Sequence, residues 1–407
     1  MNALLLFLVA LGLAAEPLPK ATPQEAGFSA ERLARLDRVM RQSVDRREYA
    51  GITVGIARHG KLVHLAAFGH RDLEAKAPMQ ADTIFRIASM TKLVASTAVM
   101  MLYEEGHFQL DDPVSKFIPG FDKVKVLRRE DAEQDDVVEQ ERQVTVRHLL
   151  THTSGLINTK AYQATQVFDH RRTLADMAAK LVTVPLAHQP GAAWRYGQSI
   201  DVLGRLVEIW SGKTFDVFLE ERLLGPLHMT DTAFYVPSGK LNRLAKSYRL
   251  NEQGVVEPSP LQAGADPSRK PTYFSGGGGL YSTAGDYLRF LQMLVNGGAL
   301  DGTRYLGKPT VEYMMLNHVP RGSVMPPDGP NGRKGYGFGL GAAVLVDSAA
   351  AEVTSFVGEF NWGGALGTYF WIDPKHELAA VYMVQRPPYV APPARRFKLM
   401  VYQAMEN

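Results

Sequence analysis

Apolar and polar positions follow two rhythms along this chain, helical and strand-like, and the chain switches between them four times. Near the start, Phe28-Ser29-Ala30-Glu31-Arg32-Leu33 reads as a helix opening, in which Ser29 can cap the free amides and Phe28 can pack against Leu33. Leu33, Leu36, Val39 and Met40 continue as an apolar stripe at helical spacing. Residues 51–60 (GITVGIARHG) and 62–70 (LVHLAAFGH) then read as strands, joined by a turn at Gly60-Lys61. They predict a hairpin.

From about residue 85 the helical spacing takes over. Ser89 opens a segment that ends near Tyr103, and residues 146–150 (VRHLL) predict a short helix closed by the polar turn THTSG. A further helix starts at Ser199, with Ile200, Leu203, Leu206, Val207 and Trp210 as its buried side. Another runs from about Ser282 to Asn296 and ends at Gly297-Gly298. Residues 127–142 carry charges of both signs and read as a solvated loop or insertion.

After Gly335 strand-like stretches return: YGFGLGAAVLVD, TSFVGEF, GTYFWIDP and LAAVYMVQ, separated by Gly, Asn, Asp or Pro turns. Their close spacing predicts an antiparallel meander, followed by a final helix over Arg395–Met405. Either end alone has too few strands and too little cover for a two-sided packed unit. The expected fold is therefore α/β plus all-helical. Residues 23–84 and 335–407 supply an antiparallel sheet flanked by helices, and residues 85–334 supply a large, mainly helical insertion domain with the active-site loops.

Composition narrows this picture in three places. The chain of 407 residues is long enough for two core-forming units. Its +3 formal charge, 45 basic against 42 acidic residues, gives no reason to expect nucleic acid. The absence of cysteine excludes disulfides, a thiol nucleophile and cysteine-bound metal. The first 15 residues suit a signal-peptide core, with cleavage after Ala14 or Ala15, yet the only charge before it is the terminal amine. Export to the periplasm or medium follows if it is cleaved, and a cytoplasmic protein with an apolar N-terminal segment if it is not. No later stretch predicts a stable membrane span.

The candidate chemistry begins at Ser89-Met90-Thr91-Lys92, the one Ser-x-x-Lys in the chain. Residues three apart share a helix face, so Lys92 stands one turn above Ser89. A serine hydroxyl needs a base within hydrogen-bond reach, and a desolvated lysine can serve at neutral pH. Taken alone the tetrapeptide is common, and Ser89 could be a plain helix cap. Two later segments add to it. Tyr196 and Gln198 lie on the turn before the helix at Ser199, where Tyr196 can relay a proton and Gln198 can hold Lys92 or an acyl group. In Phe360-Asn361-Trp362-Gly363-Gly364-Ala365, the glycines let a substrate approach a strand edge and Trp362 forms an apolar wall. The Ala365 amide can join the Ser89 amide as a two-donor oxyanion hole. His148 and His152 lie four apart without a His-Glu-x-x-His frame, so packing or turn hydrogen bonds explain them better than a metal. No metal or cofactor is expected.

Together these segments resemble the serine β-lactamase and penicillin-binding-protein superfamily, most of all its class C-like branch with the family VIII carboxylesterases. FRIASMTKLV (85–94) is similar to the nucleophile helix, and Pro190-Gly191-x-x-Trp194-x-Tyr196 to the second motif. HLLTHTSGL (148–156) and residues 277–298 resemble structural landmarks of that branch. The resemblance covers roughly residues 23–400 and implies Ser89 as nucleophile, Lys92 as base and Tyr196 as proton-transfer group. It departs from many relatives at Gln198, where Asn is usual, and at Trp362-Gly363-Gly364, where a Lys-Thr-Gly or His-x-Gly triplet is common. Loss of that cation removes a handle for a penicillin or peptide carboxylate. The resemblance therefore implies cleavage of an uncharged, small-molecule ester through an acyl-enzyme. A β-lactamase or D-amino-acid peptidase, an acyltransferase and a catalytically silent binding protein are the alternatives. Oligomeric state is left open.

Overall fold

A computed structural model describes residues 18–157, 159–160, 167, 171–259, 266–319, 333–388 and 392–406. The expected signal-peptide region lies outside them. The centre is an eight-stranded sheet, antiparallel at every pairing, built from both ends of the chain. Its strands are β1 Gly51–Arg58, β2 Lys61–Asp72, β3 Ala77–Pro78, β4 Tyr336–Phe338, β5 Ala343–Leu345, β6 Phe360–Gly363, β7 Tyr369–Asp373 and β8 Leu378–Met383. They lie in the order β4-β5-β6-β7-β8-β1-β2-β3, so β8 joins the C-terminal meander to the N-terminal hairpin. The expected architecture is present.

The period of two along each strand divides the core. On β8, Leu378, Ala380 and Tyr382 face one layer with Tyr369 and Trp371 of β7. That layer is covered by α1 (Ala30–Asp45), through Leu33, Leu36 and Met40, and by α5 (Pro392–Ala404), through Phe397 and Val401. Ser29 caps α1 as expected, accepting from the Arg32 amide. The alternate residues Ala379, Val381 and Met383, with Phe370 and Ile372, face the other core. Here α4 (Ala284–Val295) crosses β1 so closely that a Cβ on Gly55 would stand 2.6 Å from a Leu288 methyl.

That crossing joins the segment expected to form the helical insertion to the sheet. α4 lies within the segment assigned to the helical insertion, yet it packs on the sheet, because helical spacing reveals an apolar face but not the surface that face meets. The two helices that carry the site are α2 (Thr91–Glu104) and α3 (Ser199–Ser211), packed on one another. α2 is buried all round from Thr91 to Leu102, as a central helix must be. Two of the expected strands also come out differently. The stretch 336–347 folds back at Gly341, whose φ is 104°, into β4 and β5. TSFVGEF enters the sheet only at Phe360, after a turn at Gly358 with φ 95°. Residues 127–142 include a short hairpin, in which Val126–Leu127 pairs with Val137–Val138. Among the described residues no helix is long and apolar enough to cross a membrane.

Candidate active site

Ser89 sits in a single 3-10 turn, Ala88–Met90, that runs into α2. The preceding Ala88 has a φ of 44°, a left-handed conformation that costs a non-glycine residue energy and persists only where the surroundings enforce it. Several bonds do so. The Ile87 amide donates to the Leu280 carbonyl at 3.1 Å, and the Ile87 carbonyl accepts from the Thr368 hydroxyl at 3.2 Å. Tyr287 Oη donates to the Met90 carbonyl at 2.8 Å, and Thr91 Oγ1 accepts from the Leu280 amide at 3.1 Å. Sheet, α4 and the 275–280 turn thus all hold the serine turn in place.

Three expected side chains meet there. Tyr196 Oη donates to Ser89 Oγ at 2.7 Å, and Lys92 Nζ stands 3.3 Å from the same oxygen. Lys92 is 5% exposed, and its Nζ lies 4.7 Å from the centre of the Tyr196 ring. Its shorter bond goes to the Gly277 carbonyl, at 2.5 Å. Gln198, expected to hold Lys92 or an acyl group, stands at the N-cap of α3, where its backbone N–H donates to the Leu156 carbonyl at 3.0 Å. A backbone oxygen from the 275–280 turn does the holding.

Trp362 reaches the site from β6 and does more than form a wall. Its indole N–H points to Tyr196 Oη at 3.4 Å, with the two rings 5.3 Å apart. After Gly363 the strand turns: the Gly364 amide donates to the Thr368 carbonyl at 2.7 Å, and Ala365 is exposed at the tip. Glycine is required at 364, since a Cβ would stand 2.4 Å from the Ile87 carbonyl and 2.2 Å from Thr368 Oγ1. The edge of the sheet is pressed onto the serine turn at that point.

His152 and Asp201 were not legible as parts of this site. His152 packs its ring 4.8 Å from that of Tyr196, and its Nδ1 accepts from the Gly197 amide at 3.4 Å. Burial, reinforced by the charge of Lys92, holds its pKa well below the usual histidine range, so the ring is neutral. Asp201, buried on α3, accepts from Ser275 and from the Gly277 amide. The available signal was a carboxylate on the apolar face of a helix, five residues after Tyr196. His148 closes a capping box with Thr145, a turn role. At the rim, Arg195 pairs with Glu130 at 3.1 Å, which brings the charged 127–142 segment to the residue beside Tyr196. Among the described residues no group of three or more acidic or histidine side chains could hold a metal ion.

Comparison with known proteins gives this geometry its context. The family model described as Beta-lactamase matches residues 36–404. Protein Rv1367c of Mycobacterium tuberculosis is 36% identical over 361 residues, covering 86% of this chain and 89% of that protein. Esterase EstB of Burkholderia gladioli is 33% identical over 365 residues, covering 84% of this chain and 87% of that one. Among solved structures, EstCE1, described as a hydrolase with promiscuous acyltransferase activity, superposes with a TM-score of 0.78. It is 28% identical and covers 92% of this chain and 98% of its own.

Proposed function

Because the chain belongs to the beta-lactamase family of serine hydrolases, whose fold includes esterase relatives, we propose that it cleaves carboxylic esters through an acyl-enzyme on Ser89. The observation that carries this reading is the placing of two proton-handling groups on one hydroxyl, Tyr196 at 2.7 Å and Lys92 at 3.3 Å. The Lys92–Tyr196 pair takes the Ser89 proton as Oγ attacks the ester carbonyl. The Ser89 and Ala365 amides hold the oxyanion, helped by the positive end of α2. As the tetrahedral centre collapses, Tyr196 gives the proton to the departing alkoxide and leaves the acyl group on Ser89. Water then attacks, passing its proton to the same pair, and Ser89 regains a proton as the acid departs. Trp362, which donates to Tyr196 Oη, supports the phenol in both states. Gly363 and Gly364 line the approach along the strand edge, and Gln198 borders the acyl group.

Trp362 in the place of a cation favours a neutral ester over an anionic β-lactam. A second reading, transfer of the acyl group to an alcohol instead of water, draws support from the activity stated for EstCE1. The test is kcat/KM on a panel of p-nitrophenyl esters and one chromogenic cephalosporin, with wild type and Ser89→Ala, repeated with a primary alcohol added. Ser89-dependent ester turnover above cephalosporin turnover is expected. The reverse preference would make the protein a lactamase or peptidase, and new ester formed from the added alcohol at the expense of acid would make it a transferase.

A further inference from the structure

A buried carboxylate beside the serine site has no task in its chemistry. Asp201 is 2% exposed and stands on the first turn of α3. Its Oδ1 accepts from Ser275 Oγ at 2.6 Å and from the Gly277 amide at 3.2 Å. The carbonyl of that same Gly277 accepts from Lys92 Nζ at 2.5 Å. The turn is pressed onto α3 with no room for side chains. A Cβ on Gly276 would stand 2.6 Å from the Ile200 carbonyl, and one on Gly277 would stand 2.6 Å from Asp201 Oδ2.

We propose that Asp201 is a positioning residue of the acylation step. By holding Ser275 and the Gly277 amide, it sets the Gly277 carbonyl against Lys92 and so fixes the lysine nitrogen relative to Ser89. The inference rests on the reading of Ser89 and Lys92 given above. A lysine side chain has four rotatable bonds and loses about 2 kcal/mol of rotamer entropy when held in one place. A rigid acceptor supplied by the backbone does that holding, and misplacement of a reacting group by about 1 Å can cost on the order of 100-fold in rate.

The arrangement also has an electrostatic logic. A carboxylate bonded directly to Lys92 would favour the ammonium and oppose its use as a base. Asp201 reaches the lysine through a glycine residue instead, so it orients without forming a direct pair. Burial pushes the Asp201 carboxyl upward, against the hydrogen bonds of Ser275 and the charge of Lys92. The role asks only for an acceptor oxygen in that place, which an asparagine also offers.

The experiment compares wild type, Asp201→Asn and Asp201→Ala in steady-state kcat and KM on p-nitrophenyl acetate, with melting curves for each. Asp201→Ala is expected to lose about 30- to 100-fold in kcat with KM within about twofold, and Asp201→Asn to stay within about threefold of wild type. An alanine variant with wild-type kcat, a loss confined to KM, or an asparagine variant as impaired as the alanine one overturns the proposal. If Asp201→Ala does not fold, Ser275→Ala replaces it, with about a tenfold loss in kcat expected and an unchanged kcat counting against the proposal. Wild-type ester turnover that does not depend on Ser89 would overturn both this inference and the function it rests on. Ser89-dependent turnover with an undiminished alanine variant overturns this one alone.

Discussion

Two lysines are buried in this molecule almost equally, Lys92 at 5% exposure and Lys398 at 3%, and their surroundings are opposite. Lys398, on α5, donates to Glu359 at 2.5 Å and to Tyr369 Oη at 3.0 Å. Glu359 is wholly buried and also accepts from Asn361 Nδ2 at 2.8 Å. Lys398 thus faces a carboxylate at hydrogen-bond distance. Lys92 has a hydroxyl, a backbone carbonyl and the face of a phenol ring, all neutral. Both environments satisfy the donors, the first with a carboxylate and a phenol, the second with neutral groups alone. The difference separates a lysine that ties a helix to a sheet from one that can work beside a nucleophile.

The largest effect that sharpens the contrast is on activity. Lys92→Met is expected to lower kcat/KM on p-nitrophenyl esters by about 1,000-fold or more, as loss of a general base does, with a melting temperature near that of wild type. A loss of less than tenfold would mean that Tyr196 alone handles the Ser89 proton. Lys398→Met should do the converse. Removing one partner of a buried pair strands the other charge and costs about 3–5 kcal/mol. Denaturant melts would read that loss, and activity per folded molecule should stay within about threefold. Adding Glu359→Gln to Lys398→Met should recover part of the stability, because the stranded charge is gone. A Lys398→Met variant as stable as wild type would break the comparison.

Gly364→Ala ranks next, because it acts on the contact that holds the two halves of the site together. The new methyl would have to displace the Ile87 carbonyl or Thr368, moving the Trp362 edge away from the serine turn. A loss of about 100-fold in kcat is expected from such misplacement, with about 1–3 kcal/mol of stability lost to overpacking. A wild-type kcat would show that the close approach of strand and turn has no part in catalysis.

How much of this was readable in the sequence depends on the range of the interaction. The last two strands of the meander and the cap on α1 follow from local spacing and turn residues, and they appear where expected, whereas 336–347 splits into two strands and TSFVGEF joins the sheet only at Phe360. Ser89, Lys92 and Tyr196 could be brought together because two of them lie three residues apart at the start of α2 and the third lies on a recognisable turn. The Gly277 carbonyl could not, since a backbone oxygen has no residue identity to notice. Nor could its contact with Lys92, which depends on the seating of one loop on α3. The same limit explains α4, whose helical rhythm was plain while its packing against Gly55 was not. Trp362 was read as a wall because its ring is apolar. Its N–H mattered only once Tyr196 was seen 3.4 Å away.

The smallest expected effect extends the comparison to a half-buried anion. Asp286, in the first turn of α4, accepts from the Asp231 amide at 2.8 Å and from the Thr232 hydroxyl at 2.9 Å. These are dipoles, and unlike Glu359 it has no lysine bonded to it among the described residues. Burial pushes its carboxyl up to about 6, from 3.8. With the folded-state value above the unfolded one, the group's contribution is fully present below pH ~4 and is lost as pH rises through about 6. Ionised Asp286 is therefore a net cost at neutral pH, partly offset by the positive end of α4. Asp286→Asn keeps an acceptor oxygen and removes the charge. It should raise stability at pH 7 by about 1 kcal/mol, since a tenfold change in proton affinity is worth ~1.4 kcal/mol before solvent and helix-end effects reduce it. Melting curves of both proteins between pH 4 and 7.5 would read the difference, which should be near zero at pH 4 and level off above pH 6.5. An increment that is the same at both ends would trace to packing, and Asp286 would then sit as comfortably without a cation as Glu359 does with one.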